Sequence, residues 1–248
     1  MNSVVLRPNA VPVYYFLSAI TNRLSEGETS RGKRILDCGA GGVLPPVALF
    51  HQHGFDSWGI DTSDEQLDKA RRYCRRHGME VHLSKGDMRD IPFGDESFDY
   101  VYEHYSMCHL SKADTRITVQ EMRRVLKKKG LCFLGFISDD SWPMSMFGEE
   151  REPGELWGRE GGGEPTLHSV FTDEETDRLV TEWNVLSKEK RVTYSRDEAE
   201  KISLGEWMEG YYREAPDGCP PEAWQARYAK RANEIRYTHV YYLLERPA

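Results

Sequence analysis

The stretch from Lys33 to Asp61, KRILDCGAGGVLPPVALFHQHGFDSWGID, restricts what this chain can become more than any other. Lys33-Arg34-Ile35-Leu36-Asp37-Cys38 enters from a charged turn and becomes a short apolar run, the pattern of a parallel strand buried on both faces. Gly39, Gly41 and Gly42 follow at once, and a loop without Cβ atoms can turn tightly and let its backbone approach a ligand. Val43 to His53 reads as a helix with Val43, Val47, Leu49 and Phe50 on its apolar side. Pro45 and Pro46 fall near its first turn, where the missing N–H groups have no intrahelical partner to lose. Ser57-Trp58-Gly59-Ile60 is a second strand, and Asp61 at its tip stands 20 positions after Gly41, placed to grip a ribose diol. Together these pieces build a crevice for a nucleotide-type cofactor.

The same alternation continues. Ser63 with Gln66 has the spacing of a helix capping box, and Leu67, Ala70, Tyr73 and Cys74 mark the inner face of a helix ending near His77-Gly78. Met79–Leu83 is a third strand, leading to Gly86-Asp87-Met88, which sets Asp87 at the crevice lip. Ser97–Tyr102 is a fourth strand, followed by Glu103-His104-Tyr105-Ser106-Met107-Cys108-His109. A helix over Ala113–Leu126, with Ile117, Met122, Val125 and Leu126 inward, closes on Lys127-Lys128-Lys129-Gly130. Positive charge suits the negative helix end there, and the glycine suits a left-handed cap. Leu131–Ile137 is the fifth strand. Strands alternating with helices predict a doubly wound, mainly parallel α/β sheet.

Before this core, Val13-Tyr14-Tyr15-Phe16-Leu17 reads as a docked helix or a flap over the crevice mouth. After it, Ser138–Thr166 mixes Asp, Glu, Gly and Pro with Trp142, Met144, Met146, Phe147, Leu156 and Trp157, the composition of a loop or lid. Phe171–Glu175 caps a helix to about Trp183, and Val185–Tyr194 and Tyr237–Leu244 read as strands. Helices are expected over Asp197–Arg213 and Glu222–Ile235, broken at Gly218-Cys219-Pro220-Pro221. The net charge of −8 argues against a nucleic-acid backbone as main partner. Cys38, Cys74, Cys108, Cys132 and Cys219 show no metal-ligand or disulfide spacing, and neither a signal pattern nor an apolar run of membrane length is visible. These features point to a cytoplasmic protein off the membrane, with no bound metal.

Two cofactor classes share a glycine loop followed by an acid one strand later. A dinucleotide wants a third small residue where Leu44 stands, and Leu44-Pro45-Pro46 is a poor approach for a pyrophosphate. A phosphate-free cofactor gives Asp37 a role, since a carboxylate ending the first strand can meet a ligand's ammonium group. Asp37-x-Gly39-x-Gly41, Asp61, Gly86-Asp87-Met88 and Arg124–Gly130, in that order, resemble the class I S-adenosylmethionine-dependent methyltransferases, with Val43 in place of the family's last loop glycine. The resemblance covers roughly residues 33–137. It implies a Rossmann-like, seven-stranded sheet with antiparallel C-terminal strands and an added lid or helical insertion. It implies S-adenosylmethionine as cofactor and S-adenosylhomocysteine as product. Asp37, Gly39, Ala40 and Gly41 would then hold the methionine part, Asp61 and Thr62 the ribose, Asp87 and Met88 the adenine, with Glu103 also at the cofactor. The chain divides into an N-terminal cap (1–32), the cofactor-binding core (33–137), a flexible loop or lid (138–170) and a segment completing the sheet with helices inserted at about 197–235 (171–248).

Methyl transfer from a sulfonium needs alignment and a dry site, with a base only for some acceptors. His104 and His109, just past the fourth strand, are candidate catalytic residues, and Tyr14 is a candidate for the pocket wall. His109 equally suits packing against the next helix. Trp142, Trp157, Trp207, Tyr211 and Tyr212 suit either an acceptor pocket or the core of the added part. A small-molecule acceptor is expected, with methylation at O, N, S or C left open and the chain a monomer or homodimer. A protein or peptide acceptor and a non-catalytic cofactor-binding regulator are the alternatives.

Overall fold

The computed structural model describes residues 11–24, 27–141, 148–159, 164–194 and 236–248. In chain order the elements are α1 (Val11–Asn22), β1 (Arg34–Cys38), α2 (Pro46–Gln52), β2 (Asp56–Asp61), α3 (Asp64–Arg76), β3 (His82–Lys85) and β4 (Phe98–Glu103). A one-turn helix (Met107–His109), α4 (Lys112–Val125), β5 (Leu126–Ile137), β6 (Glu149–Glu152), β7 (Glu155–Arg159), β8 (Pro165–Ser169), α5 (Asp173–Leu179), β9 (Asn184–Tyr194) and β10 (Arg236–Glu245) follow.

Seven strands form one sheet in the order β3-β2-β1-β4-β5-β10-β9. The pairs from β3 to β5 are parallel, and β10 runs antiparallel to both β5 and β9. Of the two C-terminal strands, therefore, only β10 runs against the rest. The chain moves outward from β1 through β2 to β3, then returns to β4 on β1's other side. That reversal opens a crevice at the carboxyl ends of β1 and β4, where ligands of open α/β sheets sit.

Strand periodicity fills both faces. Leu36, Val101, Cys132, Leu134, Phe136, Val240 and Tyr242 pack with Val119 and Met122 of α4 and with Val180 and Trp183. Their neighbours in sequence, Ile35, Tyr100, Tyr102, Leu131, Phe133 and Tyr241, pack with Val13, Phe16, Leu17 and Ile20 of α1 and Phe50 of α2. α1 is thus a docked helix, held through Phe16, which stacks 5.6 Å from Tyr102.

Several boundaries differ from expectation. α2 starts at Pro46, leaving Val43 (57%) and Leu44 (54%) exposed. A proline disfavours the helical conformation in the residue before it, so Pro45 stays extended ahead of Pro46 and the helix cannot start earlier. β3 begins at His82 because Gly78 and Met79 are used up in the turn that ends α3, with Met79 N–H donating to Cys74 O. The lysine run belongs to β5, and Lys129, not Gly130, takes the left-handed conformation, with φ 62°. Gly130 answers another need: a Cβ there would come within 2.7 Å of Asp99 O. Ile117 is 46% exposed, since the inner face of α4 is Thr115, Thr118, Val119, Met122 and Val125. α5 ends at Leu179, short of Trp183. Much of the expected lid is a three-stranded antiparallel sheet, β6-β7-β8. Trp142, Met144, Met146, Phe147, Gly161–Gly163 and the expected helices over 197–213 and 222–235, with Trp207, Tyr211, Tyr212 and Cys219, lie outside the described residues.

Candidate functional site

The tip of β1 leaves no room for a Cβ at Gly39 or Gly41. Gly39 has φ 88°, and its N–H and that of Ala40 donate to Ile60 O at 2.8 and 2.9 Å. A Cβ on Gly39 would strike Ser106 Oγ; one on Gly41 would lie 2.5 Å from Asp61 Oδ2 and from Gln66 Cβ. Ala40 is fully buried. Its methyl group fits only because Gly59 on β2 has none in its way.

Asp61 ends β2 and ties the loop to the next helix. Its Oδ2 accepts from Gly41 N–H at 3.0 Å and its Oδ1 from Ser63 N–H at 2.8 Å. Each oxygen keeps acceptor capacity for a further donor. Thr62 beside it is exposed.

Asp37 is 2% exposed. Its Oδ2 accepts from Val47 N–H at 3.0 Å, so one oxygen holds the first turn of α2. Burial pushes its pKa up to about 8, opposed by the Val47 N–H and reinforced by Glu103 and Asp61. Glu103, at the end of β4, is wholly buried. Its Oε1 accepts from Ser106 N–H and Met107 N–H, both at 2.8 Å, while Oε2 has no hydrogen-bond partner among the described residues. Burial raises its pKa to about 7, against the pull of the Met107, Ser106 and Gly135 N–H groups.

Asp87 and Met88 follow β3. Met88 Cε comes within 3.9 Å of where a Cβ on Gly39 would lie, which sets Met88 at the crevice. Asp87 is held by Arg89, through Nη2 to Oδ2 at 2.6 Å and Nε to Oδ1 at 3.0 Å, and Arg89 also reaches Asp114 at 3.1 Å. The hydrogen bond from Arg89 is the main cause holding the Asp87 carboxyl below its usual range.

The two candidate histidines part company. His104 Nε2 lies 3.4 Å from Tyr241 Oη, with the His239 ring 6.0 Å away. Burial, with a smaller contribution from His239, pushes its pKa down to about 3, so it is neutral near pH 7. His109 is exposed and turns to β8, with Nδ1 donating to Leu167 O at 3.1 Å and the His168 ring 4.7 Å away. Tyr14 is 37% exposed on the outer side of α1. Sequence reasoning passed over Ser106, Arg89, Gly135, His239 and Tyr241. Ser106 and Arg89 lay beside named residues, whereas the β10 pair reaches the site through a non-local strand pairing.

Residues 35–130 match the family model described as a methyltransferase domain. The uncharacterized methyltransferase YcgJ of Bacillus subtilis is 35% identical over 98 residues, 39% of this chain and 38% of that protein. Methyltransferase GfsG of Streptomyces halstedii is 33% identical over 105 residues, 42% of this chain and 37% of that protein. The matched region thus spans less than two fifths of the length of these relatives. A solved structure described as a SAM-dependent methyltransferase from Methanosarcina mazei superposes with a TM-score of 0.62 at 18% identity, covering 93% of this chain and 98% of that one. With the sheet order and the glycine loop of β1 beside that match, the chain carries a methyltransferase domain over residues 35–130 on a Rossmann-like methyltransferase fold.

Proposed function

We propose that this chain binds S-adenosylmethionine and catalyses methyl transfer to a small-molecule acceptor. When bound, S-adenosylmethionine supplies a methyl carbon on a cationic sulfonium, open to in-line attack. One observation above all supports the assignment. Carboxyl groups stand at four neighbouring strand ends, Asp37, Asp61, Asp87 and Glu103, around a loop with no Lys or Arg and no room for a Cβ at Gly39 or Gly41. That set suits hydroxyls, an amino group and a cation, and offers nothing to a pyrophosphate. Asp61, with acceptor capacity left on both oxygens, suits the ribose hydroxyls. Asp87 and Met88 suit the adenine, with Asp87 shared with Arg89. Asp37 and Glu103, buried with raised pKa values, ionise more readily beside a cation. The net charge of −8 favours a small acceptor over a nucleic acid.

Calorimetric titration with S-adenosylmethionine, S-adenosylhomocysteine and NAD, side by side, tests this. The two sulfur nucleosides are expected to bind and NAD to stay silent. Asp61→Ala is expected to weaken their binding by about 1.5–3 kcal/mol through lost charge-assisted hydrogen bonds. Binding of NAD alone would overturn the assignment.

A further inference from the structure

β10 carries His239 to a place opposite Ile137 and Tyr241 opposite Gly135, at the carboxyl end of β5. Both thus arrive beside His104, which follows the carboxyl end of β4. His239 Nε2 is buried and has no hydrogen-bond partner among the described residues. A polar atom kept from water without a partner is costly, and its retention asks for a reason. The His239 ring lies parallel to Tyr241, 5.7 Å away at 1°, and stands 5.6 Å from the Tyr105 ring. Tyr105 is held at φ 70°, a conformation that a bulky side chain rarely takes and that is found most often at functional sites. Gly135 lets the rings close in, since a Cβ there would come within 2.9 Å of His104 Cδ2 and 3.3 Å of Tyr241 Cε1. Arg191, 5.9 Å from the Tyr241 ring, is offset by Glu189 at 2.8 Å.

We propose that His239, with His104 and Tyr241, forms the acceptor subsite and selects an uncharged, planar acceptor bearing a hydroxyl group, a phenol or an enol. This rests on the cofactor assignment above. A hydroxyl donates and accepts, so it satisfies His239 Nε2 in either tautomer. The ring walls suit a flat body. Burial keeps both imidazoles neutral, with pKa values lowered to about 3 for His104 and about 4 for His239, so neither offers a counter-charge to a carboxylate. A cationic head would meet the imidazoles as neutral groups and lose its hydration for little return. In the transfer, a lone pair of the acceptor oxygen forms the bond to the methyl carbon. The carbon–sulfur pair returns to sulfur and discharges the sulfonium, and the proton of the alkylated oxygen passes to His239 Nε2 while the half-buried ring gives one up to water from Nδ1.

The test follows the imidazole NMR signals of His104 and His239, assigned with His104→Asn and His239→Asn, in protein saturated with S-adenosylhomocysteine. Phenol, benzoate and benzylamine, three heads on one aromatic body, are titrated in turn. Phenol is expected to shift both sets of signals and to bind about tenfold more tightly than the charged pair, an advantage that His239→Asn removes without changing S-adenosylhomocysteine affinity. Phenol leaving the imidazoles undisturbed, or bound no better than benzoate or benzylamine, overturns the subsite while the cofactor assignment stands. Failure of S-adenosylhomocysteine to bind the folded wild-type protein overturns the cofactor assignment, and the subsite falls with it.

Discussion

Gly41 shows how a single missing methyl group sets the site. Its N–H donates to Asp61 Oδ2 at 3.0 Å, and a Cβ in its place would lie 2.5 Å from that same oxygen. Gly41→Ala must therefore push the carboxylate off the loop. It is expected to weaken S-adenosylhomocysteine binding by about 1.5–3 kcal/mol, the range for a hydrogen bond to a charged group, with calorimetry as the measurement. Equal affinity in wild type and variant would mean that Asp61 does not need the loop to hold its position. This part of the site is legible in sequence because it is nearly local, with loop and acid on adjacent strands joined by one helix. Asp87 is legible as a position but not as a state, since Arg89 takes its oxygens through a side-chain conformation that no spacing encodes. Asp37 is similar. Ending a strand in a carboxylate indicates a ligand contact, and the structure shows the group also holding Val47 N–H at the start of α2.

Elements were legible where hydrophobic period and capping chemistry agreed. Thr172 with Glu175 forms a full capping box on α5, with Thr172 N–H to Glu175 Oε2 at 2.9 Å and Glu175 N–H to Thr172 Oγ1 at 3.2 Å. Thr172→Ala is expected to cost about 0.5–2 kcal/mol in urea unfolding. The β6-β7-β8 sheet was not legible, because Glu149–Glu152 is too charged to show a buried alternation and strands this short carry little pattern of their own. Contacts from outside help fix it. His109 Nδ1 meets Leu167 O, Ser169 Oγ donates to Leu110 O at 2.6 Å, and Lys112 N–H donates to Glu155 Oε1 at 2.6 Å. The exposed His109 is thus a docking contact for this small sheet. His109→Ala is expected to lower the local stability of β8 by about 0.5–1.5 kcal/mol, read as faster amide exchange from Thr166 to Ser169, and to leave S-adenosylhomocysteine affinity unchanged. A large loss of cofactor affinity with β8 exchange unaltered would return His109 to the crevice.

At the scale of the whole molecule, the seven-strand order follows from alternating strands and helices, while the meeting of β10 with β4 and β5 depends on pairing between distant segments and left no trace in local pattern. That architecture buries ionisable groups of two kinds, and they pull stability in opposite directions with pH. Asp37 and Glu103 have pKa values raised to about 8 and about 7, so the folded chain keeps protons that the unfolded chain has released. The stability they give is present at low pH and lost as pH rises toward 8. His104, His168 and His239 have pKa values lowered to about 3, about 4 and about 4, so the unfolded chain takes up protons that the folded one refuses. Their contribution is present above the ordinary histidine value near 6.5 and lost as pH falls below it. Asp87 and Asp177, whose carboxyls are held low by Arg89 and Lys188, steepen the acid side further. Three histidines outweigh two carboxyls between about pH 4.5 and 6.5, and above that only the carboxyls still titrate, so unfolding free energy is expected to peak near pH 6.5. The fall from there to pH 8 is expected to be about 1–3 kcal/mol, measured by urea unfolding at pH 5, 6.5 and 8. Asp37→Asn removes the larger alkaline contribution while leaving an acceptor for Val47 N–H, so it should flatten that limb and keep the acid one. A wild-type curve level from pH 6.5 to 8 would mean that both carboxyls are already ionised in the folded chain, stabilised by contacts other than those at the ends of β1 and β4.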